Sequence, residues 1–253
     1  MAAVKAPPVD PVALAARFES AGASAGFRCE SFGSAGNCPL IALTRREGGP
    51  HPRIYLSAGI HGDEPAAPLA LLSMIEAGEL DGRATWFVCP LLNPDGIARG
   101  TRENASGIDL NRDYRHLASP EVRSHVHWLQ RQPNFDLAIC VHEDWESSGF
   151  YLYELNPGSR PSLAPPMIAA VSKVCAIDQS PLIEGREAKG GIIRPLANPM
   201  EREKWPESIY LQAHHTTLSY TIESPSALAI ETRIAALIAA LRAAIGLATR
   251  KRI

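Results

Sequence analysis

The sequence lacks the cysteine pattern of a disulfide-stapled protein. No Cys-x-x-Cys pair occurs, and the cysteines are odd in number and scattered, at Cys29, Cys38, Cys89, Cys140 and Cys175. Scattered cysteines of this kind are typical of a reducing compartment. We therefore expect a cytoplasmic protein without a disulfide framework.

Long apolar runs and an excess of positive charge are also missing. The longest apolar-rich stretch, residues 234–247, is interrupted by Arg242 and is too short to span a bilayer. The first ten residues contain no apolar core of a secretory signal. Lys and Arg number 25 against 27 Asp and Glu, so no basic field for nucleic acids or anionic membranes is present. The expected partner is a small molecule or a peptide, with no nucleic acid and no membrane.

Signatures of two other enzyme classes are absent. The sequence contains neither a Gly-x-Ser-x-Gly nucleophile elbow nor a phosphate-binding glycine-rich loop. It also shows no internal repeat, and its 21 prolines are spread along the chain without marking a linker. With 45% apolar residues the chain can bury a sizeable core. We therefore predict a single catalytic domain over residues 1–253.

What the sequence does contain is an alternation of strand and helix patterns. Two antiparallel strands are predicted first, at residues 27–31 and 39–44. Buried strands follow at residues 54–60, 85–92, 137–142 and 218–223, and helices at residues 66–76, from 119, near 162–175 and from 226 to about 248. Residues 93–117 and 180–205 are predicted to be loop or irregular chain. This alternation predicts an α/β fold with a mixed, largely parallel sheet and helices on both faces.

Polar residues with metal-binding chemistry follow the ends of these predicted strands. His61, His142 and Glu223 each lie at or just past a strand end, and Glu64 lies three residues after His61. A catalytic zinc site needs three imidazole or carboxylate ligands and one open position. His61, Glu64 and His142 supply that set, and Gly62 permits the tight turn that lets the first two converge on one ion.

The same residues also have simpler interpretations. Glu64 could stabilise a helix N-terminus electrostatically, and His142 could be a hydrogen-bonded core residue. Its neighbours Glu143 and Asp144 could be ordinary loop carboxylates. Only the conjunction of these residues favours a metal site.

Five short motifs occur in a recognisable order along residues 54–223. They are Ile60-His61-Gly62-Asp63-Glu64, Asn93-Pro94-Asp95-Gly96, Asp109-Leu110-Asn111-Arg112, Val141-His142 and Thr221-Ile222-Glu223. In this order and spacing the chain resembles the zinc carboxypeptidases, and among them compact bacterial members such as murein peptide amidase. The resemblance implies the α/β/α sandwich of that family and one zinc ion as cofactor.

The resemblance also implies the roles of the central residues. His61, Glu64 and His142 become the zinc ligands, and Glu223 becomes the general base and acid that activates the hydrolytic water. A carboxylate suits that role, because it can accept a proton from the water and return it to the leaving amine. The alternative for Glu223 is a surface glutamate that caps the helix beginning near Ser226.

Four more roles follow from the same resemblance. Arg102 is implied to stabilise the oxyanion of the tetrahedral intermediate, and Asn111 and Arg112 to bind the terminal carboxylate of the substrate. Asp109 is implied to accept the other ring N–H of His61 and to fix its tautomer. The alternatives are a solvated loop arginine, a structural salt bridge and a loop aspartate.

The chain departs from the digestive members of the family at two places. Asp63 stands where many of them carry an arginine, which changes the charge beside the metal. Those members also place a mobile, substrate-capping tyrosine before the catalytic glutamate. Tyr210 is the nearest candidate here, while Tyr220 is expected to be buried in its strand, and we assign no capping residue.

The implied activity is hydrolysis of an amide bond next to a free carboxylate, as a zinc metallocarboxypeptidase acting on short peptides. The nearest alternative is an N-acyl-amino-acid deacylase of the aspartoacylase or succinylglutamate desuccinylase type, with a similar zinc tripod and an acyl-amino-acid substrate. Residues 93–96 and the lack of a recognisable extra C-terminal domain favour the peptidase. A catalytically silent peptide-binding module is a third alternative, which the retained ligands, base and arginines disfavour.

Overall fold

The computed structural model describes residues 9–195 and 199–250. Ten strands within these residues form one sheet in the order β1-β2-β4-β3-β5-β10-β6-β9-β8-β7. The strands are β1 Arg28–Ala35, β2 Cys38–Arg45, β3 Arg53–Ala58, β4 Thr85–Cys89, β5 Leu137–Asp144, β6 Tyr151–Leu155, β7 Leu182–Ile183, β8 Arg186–Lys189, β9 Ile192–Ile193 and β10 Ser219–Pro225. The helices are α1 Pro11–Ser24, α2 Ala66–Glu76, α3 Pro94–Arg99, α4 Pro120–Leu129, α5 Ala164–Val171, α6 Glu207–His214 and α7 Ile230–Ala248. None of these helices is long and apolar enough to cross a membrane.

The centre of the sheet is parallel, and the strands around it pair mostly antiparallel, except that β6 and β9 are parallel. Strands β4, β3, β5 and β10 run parallel to one another. The hairpin β1-β2 joins β4 in antiparallel pairing, and β6 joins β10 in the same way. The predicted β-α-β unit is confirmed, and so is the mixed sheet. Parallel strands align their carboxyl ends at one edge, and the candidate residues are found at that edge.

Alternate side chains of the central strands face two different helix layers. Leu56 packs in a core cluster with residues of α1, α2, α5 and α7. Its neighbour Tyr55 packs on the opposite face in a cluster with residues of α4 and α6. Strand residues of both sets are fully buried, as expected for a sheet covered on both sides. The predicted α/β fold class is therefore confirmed.

Helix boundaries agree best with the sequence where a capping residue marks them. Helix α4 begins at Pro120, and the Ser119 hydroxyl accepts a hydrogen bond from Val122 N at 3.3 Å. This is the predicted start, with an N-cap serine followed by proline in the first turn. Helix α2 covers residues 66–76 as predicted.

The segments predicted to be loops contain regular structure, so that prediction was wrong in part. Residues 93–117 include α3 and a 3-10 turn, Leu110–Arg112. Residues 180–205 include β7, β8, β9 and a second 3-10 turn, Pro199–Glu201. These elements have only two to six residues, and the segments that contain them also carry several Pro and Gly residues, so local propensity favours a loop there. Hydrogen bonds to residues distant in sequence stabilise some of these elements, as in the pairing of β9 with β6.

Candidate active site

The histidines and glutamate predicted to bind metal lie together at the carboxyl edge of the sheet. His61 Nδ1 is 2.5 Å from Glu64 Oε1, and His142 Nδ1 is 2.9 Å from Glu64 Oε2. One donor atom from each residue lies within 4.8 Å of the other two, and all three side chains are buried. Two imidazoles and a carboxylate that converge in this way fit a zinc ion, with a fourth position left for water or substrate.

Strand pairing explains why residues 78 positions apart meet. Ala58, the last residue of β3, pairs with Val141 of β5, so the turn after β3 lies beside His142. Gly59 begins that turn with φ of +66°, a left-handed conformation that favours glycine. The turn then places His61 and Glu64 over the end of β5.

The motif Asn93-Pro94-Asp95-Gly96 packs against this turn and stabilises it. Gly62 packs so closely on Gly96 that a Cβ atom on Gly62 would lie 1.9 Å from Gly96 C. Asn93 accepts a hydrogen bond from Gly96 N at 2.9 Å and thereby caps α3. Its amide nitrogen donates to Ile60 O and Arg102 O, each at 3.2 Å. The motif therefore ties the His61 turn to the segment that carries Arg102.

Asp109 and Arg102 lie beside the outer ring nitrogen of His61. His61 Nε2 is 3.3 Å from Asp109 Oδ1, and Arg102 Nε donates to Asp109 Oδ2 at 3.0 Å. Burial opposes the ionisation of Asp109, but the hydrogen bond to His61 and the charges of His61 and Arg102 hold its pKa well below its usual range. An ionised Asp109 can accept the outer ring N–H of His61, the arrangement that orients metal-binding histidines.

Glu143 is not the loop carboxylate that the simpler interpretation of the sequence suggested. It is 4% exposed, and its Oε2 lies 2.6 Å from Arg233 Nη1 of α7. Its other oxygen accepts from Ala66 N at 2.5 Å, and its backbone N–H donates to Glu64 Oε2 at 3.1 Å. Burial raises the pKa of Glu143 to about 7, against the lowering by Arg233. This ion pair ties α7 to the start of α2, two residues after Glu64.

Glu223 lies directly opposite His142 in the register of β10 and β5. Burial raises the pKa of Glu223 well above its usual value, and the Glu64 carboxylate adds to this rise while His142 opposes it. Its carboxylate makes no hydrogen bond to another described residue. Helix α7 begins at Ile230 without a side-chain cap, so Glu223 does not cap it.

A buried hydrogen-bond network that the sequence did not reveal supports Asn111. The Asn111 side-chain oxygen accepts from Glu207 N at 2.9 Å. The Glu207 carboxylate accepts from the Tyr55 hydroxyl at 2.6 Å and from the Ser57 hydroxyl at 2.9 Å. Because the Tyr55 proton is donated to Glu207, Tyr55 must accept from His125 Nε2, 2.9 Å away. With its oxygen bound in this way, Asn111 keeps its amide N–H groups for a ligand.

These residues surround one cavity of about 450 Å³. Its walls include His61, Glu64, Arg102, Asn111, Arg112 and Glu223 from the predicted set. Tyr153, Arg186, Arg202 and Lys204 also line it, and sequence reasoning assigned none of them. The first lies in a strand that was not predicted and the others in the segment predicted to be irregular. Tyr210 instead packs against Tyr114 and His214, and Tyr220 is buried in β10 as expected.

The sequence comparisons match this chain to hydrolase families by name. A family model described as "Succinylglutamate desuccinylase/Aspartoacylase catalytic domain" matches residues 50–174. Carboxypeptidase 2 of Trichophyton tonsurans is 33% identical over 81 residues. The match covers 28% of this chain but only 15% of the fungal protein.

Solved structures with similar folds extend over nearly the whole chain. A provisionally named metallopeptidase from Shewanella amazonensis has a TM-score of 0.81 and 24% identity, covering 92% of this chain and 91% of that one. A metallo-carboxypeptidase from Pseudomonas aeruginosa, solved with (2-guanidinoethylmercapto)succinic acid, has a TM-score of 0.64 and 21% identity and covers 93% and 69% of the two chains. Structural matches at identities this low show a shared fold and do not extend to function. The resemblance to the zinc carboxypeptidases is thus confirmed, and the chain has the metallocarboxypeptidase fold, with a match to the desuccinylase and aspartoacylase catalytic domain inside it.

Proposed function

We propose that this chain is a zinc-dependent hydrolase that cleaves an amide bond next to a free carboxylate, acting on the last peptide bond of short peptides. The main support is the convergence of donor atoms from His61, Glu64 and His142, together with a cavity that His61, Glu64 and Glu223 line. The described cysteines are free, which supports a cytoplasmic location.

In this proposal His61, Glu64 and His142 hold one zinc ion. The chemistry that a bound zinc ion supplies at such a site is polarisation of the scissile carbonyl and greater acidity of water. Glu223 accepts the proton of the attacking water and returns it to the leaving amine. Its carboxylate suits this role because it faces the cavity and no described side chain occupies its oxygens.

Three other side chains act on the substrate. Arg102, fixed by Asp109 at 3.0 Å, stabilises the negative charge that develops on the carbonyl oxygen. Arg112 and the free amide N–H groups of Asn111 bind the terminal carboxylate, since a guanidinium offers two parallel donors. Arg112 is exposed and has no ion pair within the described residues, so no internal carboxylate competes for it.

A second candidate function is hydrolysis of N-acyl amino acids. The match of residues 50–174 to the desuccinylase and aspartoacylase domain favours it. Both reactions break an amide bond beside a free carboxylate, so the same residues would take the same roles.

Turnover and metal content measured on one preparation test the proposal. We expect about one zinc per chain by mass spectrometry and faster release of C-terminal residues from a short-peptide library than hydrolysis of N-acyl amino acids. Faster turnover of N-acyl amino acids would select the second candidate. Zinc-loaded protein that binds peptides without cleaving them would be a catalytically silent module.

The variant Glu223→Gln tests the catalytic role within the same assay. Its kcat should fall by about 10² to 10⁴, the usual contribution of general acid–base catalysis, while its zinc content stays unchanged. Glu231→Gln, which neutralises an exposed glutamate on α7, is the control and should keep full activity. Full turnover by Glu223→Gln would disprove the assigned role.

A further inference from the structure

Three arginines from separate segments line the cavity, and none of them has a carboxylate partner among the described residues. Arg112 belongs to the 3-10 turn Leu110–Arg112, Arg186 begins β8, and Arg202 follows the turn Pro199–Glu201. None of the three forms an ion pair with any residue in 9–195 or 199–250. Lys204 adds a further positive charge to the lining.

The positive charges lie close enough to affect one another. Burial lowers the pKa of Arg202, and the charges of Arg186 and Arg112 lower it further. The Glu184 carboxylate, which also lines the cavity, partly opposes the effect and accepts a hydrogen bond from the Tyr153 hydroxyl. Like charges repel each other, and a bound anion would relieve the repulsion that remains among the arginines.

Residues 202–205 are held in place by hydrogen bonds to residues 114–116. Tyr114 N donates to Trp205 O at 3.2 Å, and His116 Nε2 lies 3.0 Å from Glu203 O. The Arg115 guanidinium donates to Arg202 O. These bonds tie the segment to the chain that follows Arg112. The backbone that carries Arg202 is therefore already ordered before a ligand binds.

Carboxylates also line the cavity. Asp144 and Glu146, at and after the end of β5, line the cavity. Asp144 accepts hydrogen bonds from the Tyr151 hydroxyl at 3.0 Å and from Glu146 N at 2.8 Å. An anionic group in the cavity is repelled by these carboxylates and attracted by the arginines.

We propose that Arg186 and Arg202 form a second anion-binding subsite, so that the preferred substrate carries a carboxylate in addition to the one bound by Asn111 and Arg112. This inference rests on the proposed function, which assigns the first carboxylate to Arg112. The substrate class is an amide with at least two carboxylates. The second carboxylate lies either on the side chain of the released residue or on the acyl part.

Matched substrate pairs distinguish these two sources. Acetyl-Ala-Glu against acetyl-Ala-Gln tests a carboxylate on the released residue, and succinyl-Gln against acetyl-Gln tests one on the acyl part. In at least one pair the acidic member should have a kcat/KM about tenfold or more higher, the usual effect of a charge-assisted hydrogen bond. The ratio should fall to about twofold in Arg186→Gln/Arg202→Gln. Lys189→Gln removes an exposed charge from the same strand β8 and should leave the ratio unchanged.

Equilibrium binding separates a failure of this subsite from a failure of the proposed function. Calorimetry with Glu223→Gln measures binding of the same four compounds without turnover. If no compound is cleaved by the wild type, the proposed function fails, but tighter binding of an acidic member that is lost in the arginine variant still supports the subsite. Equal binding of both members in each pair, or a preference that survives Arg186→Gln/Arg202→Gln, overturns it.

Discussion

The buried ion pair between Arg233 and Glu143 gives the sharpest stability prediction. Both side chains are almost fully excluded from solvent, with 3% and 0% exposure. The substitution Arg233→Met keeps the length and the apolar contacts of the side chain but leaves the Glu143 carboxylate buried without its cation. Glu143 also accepts from Ala66 N and donates its N–H to Glu64, so the loss acts directly beside the metal ligands.

The expected loss is large because only one partner is removed. Breaking a buried pair in this way costs about 3–5 kcal/mol. Arg233 Nε has no hydrogen-bond partner among the described residues, which places the loss towards the lower end of that range. The double variant Arg233→Met/Glu143→Gln removes both charges and should recover at least half of the lost free energy of unfolding.

Urea unfolding monitored by circular dichroism measures these differences. Arg242→Met is a matched control on the same helix, because Arg242 pairs with Glu79 but its side chain is 60% exposed. Exposed pairs contribute about 0–1 kcal/mol. Equal losses for Arg233→Met and Arg242→Met, or a double variant no more stable than Arg233→Met, would refute the reasoning.

Three other predictions follow from particular contacts. Burial, with a smaller effect of His215, lowers the pKa of His125 to about 3, whereas the unfolded chain titrates near 6.5. The stability that this group contributes is therefore present above pH 6.5 and is lost as the pH falls towards 3, by up to about 1.4 kcal/mol per pH unit. In urea unfolding, the free energy of unfolding should fall less between pH 7 and 4.5 in His125→Gln than in the wild type. An identical fall in both proteins would contradict the assignment. Gly62→Ala should lower both the melting temperature and the zinc content, because its Cβ would overlap Gly96 backbone, while Gly48→Ala, which meets no atom within 4 Å, should change neither. Arg102→Met should reduce kcat by about 10² to 10³ in steady-state assays without loss of zinc, and a change confined to KM would exclude oxyanion stabilisation.

The sequence predicted the central fold because strong periodic signals lie there. The apolar runs before His61 and His142 allowed β3 and β5 to be predicted, and Ser119 marked the start of α4. His61, Glu64 and His142 could be named as candidate metal ligands because they lie at or just after the ends of these two strands. Strands β7, β8 and β9 at one edge of the sheet were not predicted, since β7 and β9 have only two residues each.

The contacts around the site were harder to predict because they join distant segments. Glu143 was open to interpretation as a loop residue, since its partner Arg233 lies 90 positions away on another element. One signal was available: Arg233 is followed at helical spacing by Leu237, Ala240 and Leu241, so it shares the buried face of α7. A charged residue on such a face requires a buried partner. Glu207 and its bonds to Tyr55 and Ser57 carried no comparable local signal.

The most direct test of the account is the zinc content of the purified wild type and of His142→Ala, measured together with amide hydrolysis. We predict about one zinc per chain and hydrolysis of carboxylate-bearing amides for the wild type, and loss of both in His142→Ala with the circular dichroism spectrum retained. A wild type without stoichiometric zinc, or a His142→Ala variant that keeps both zinc and activity, would contradict the central claim.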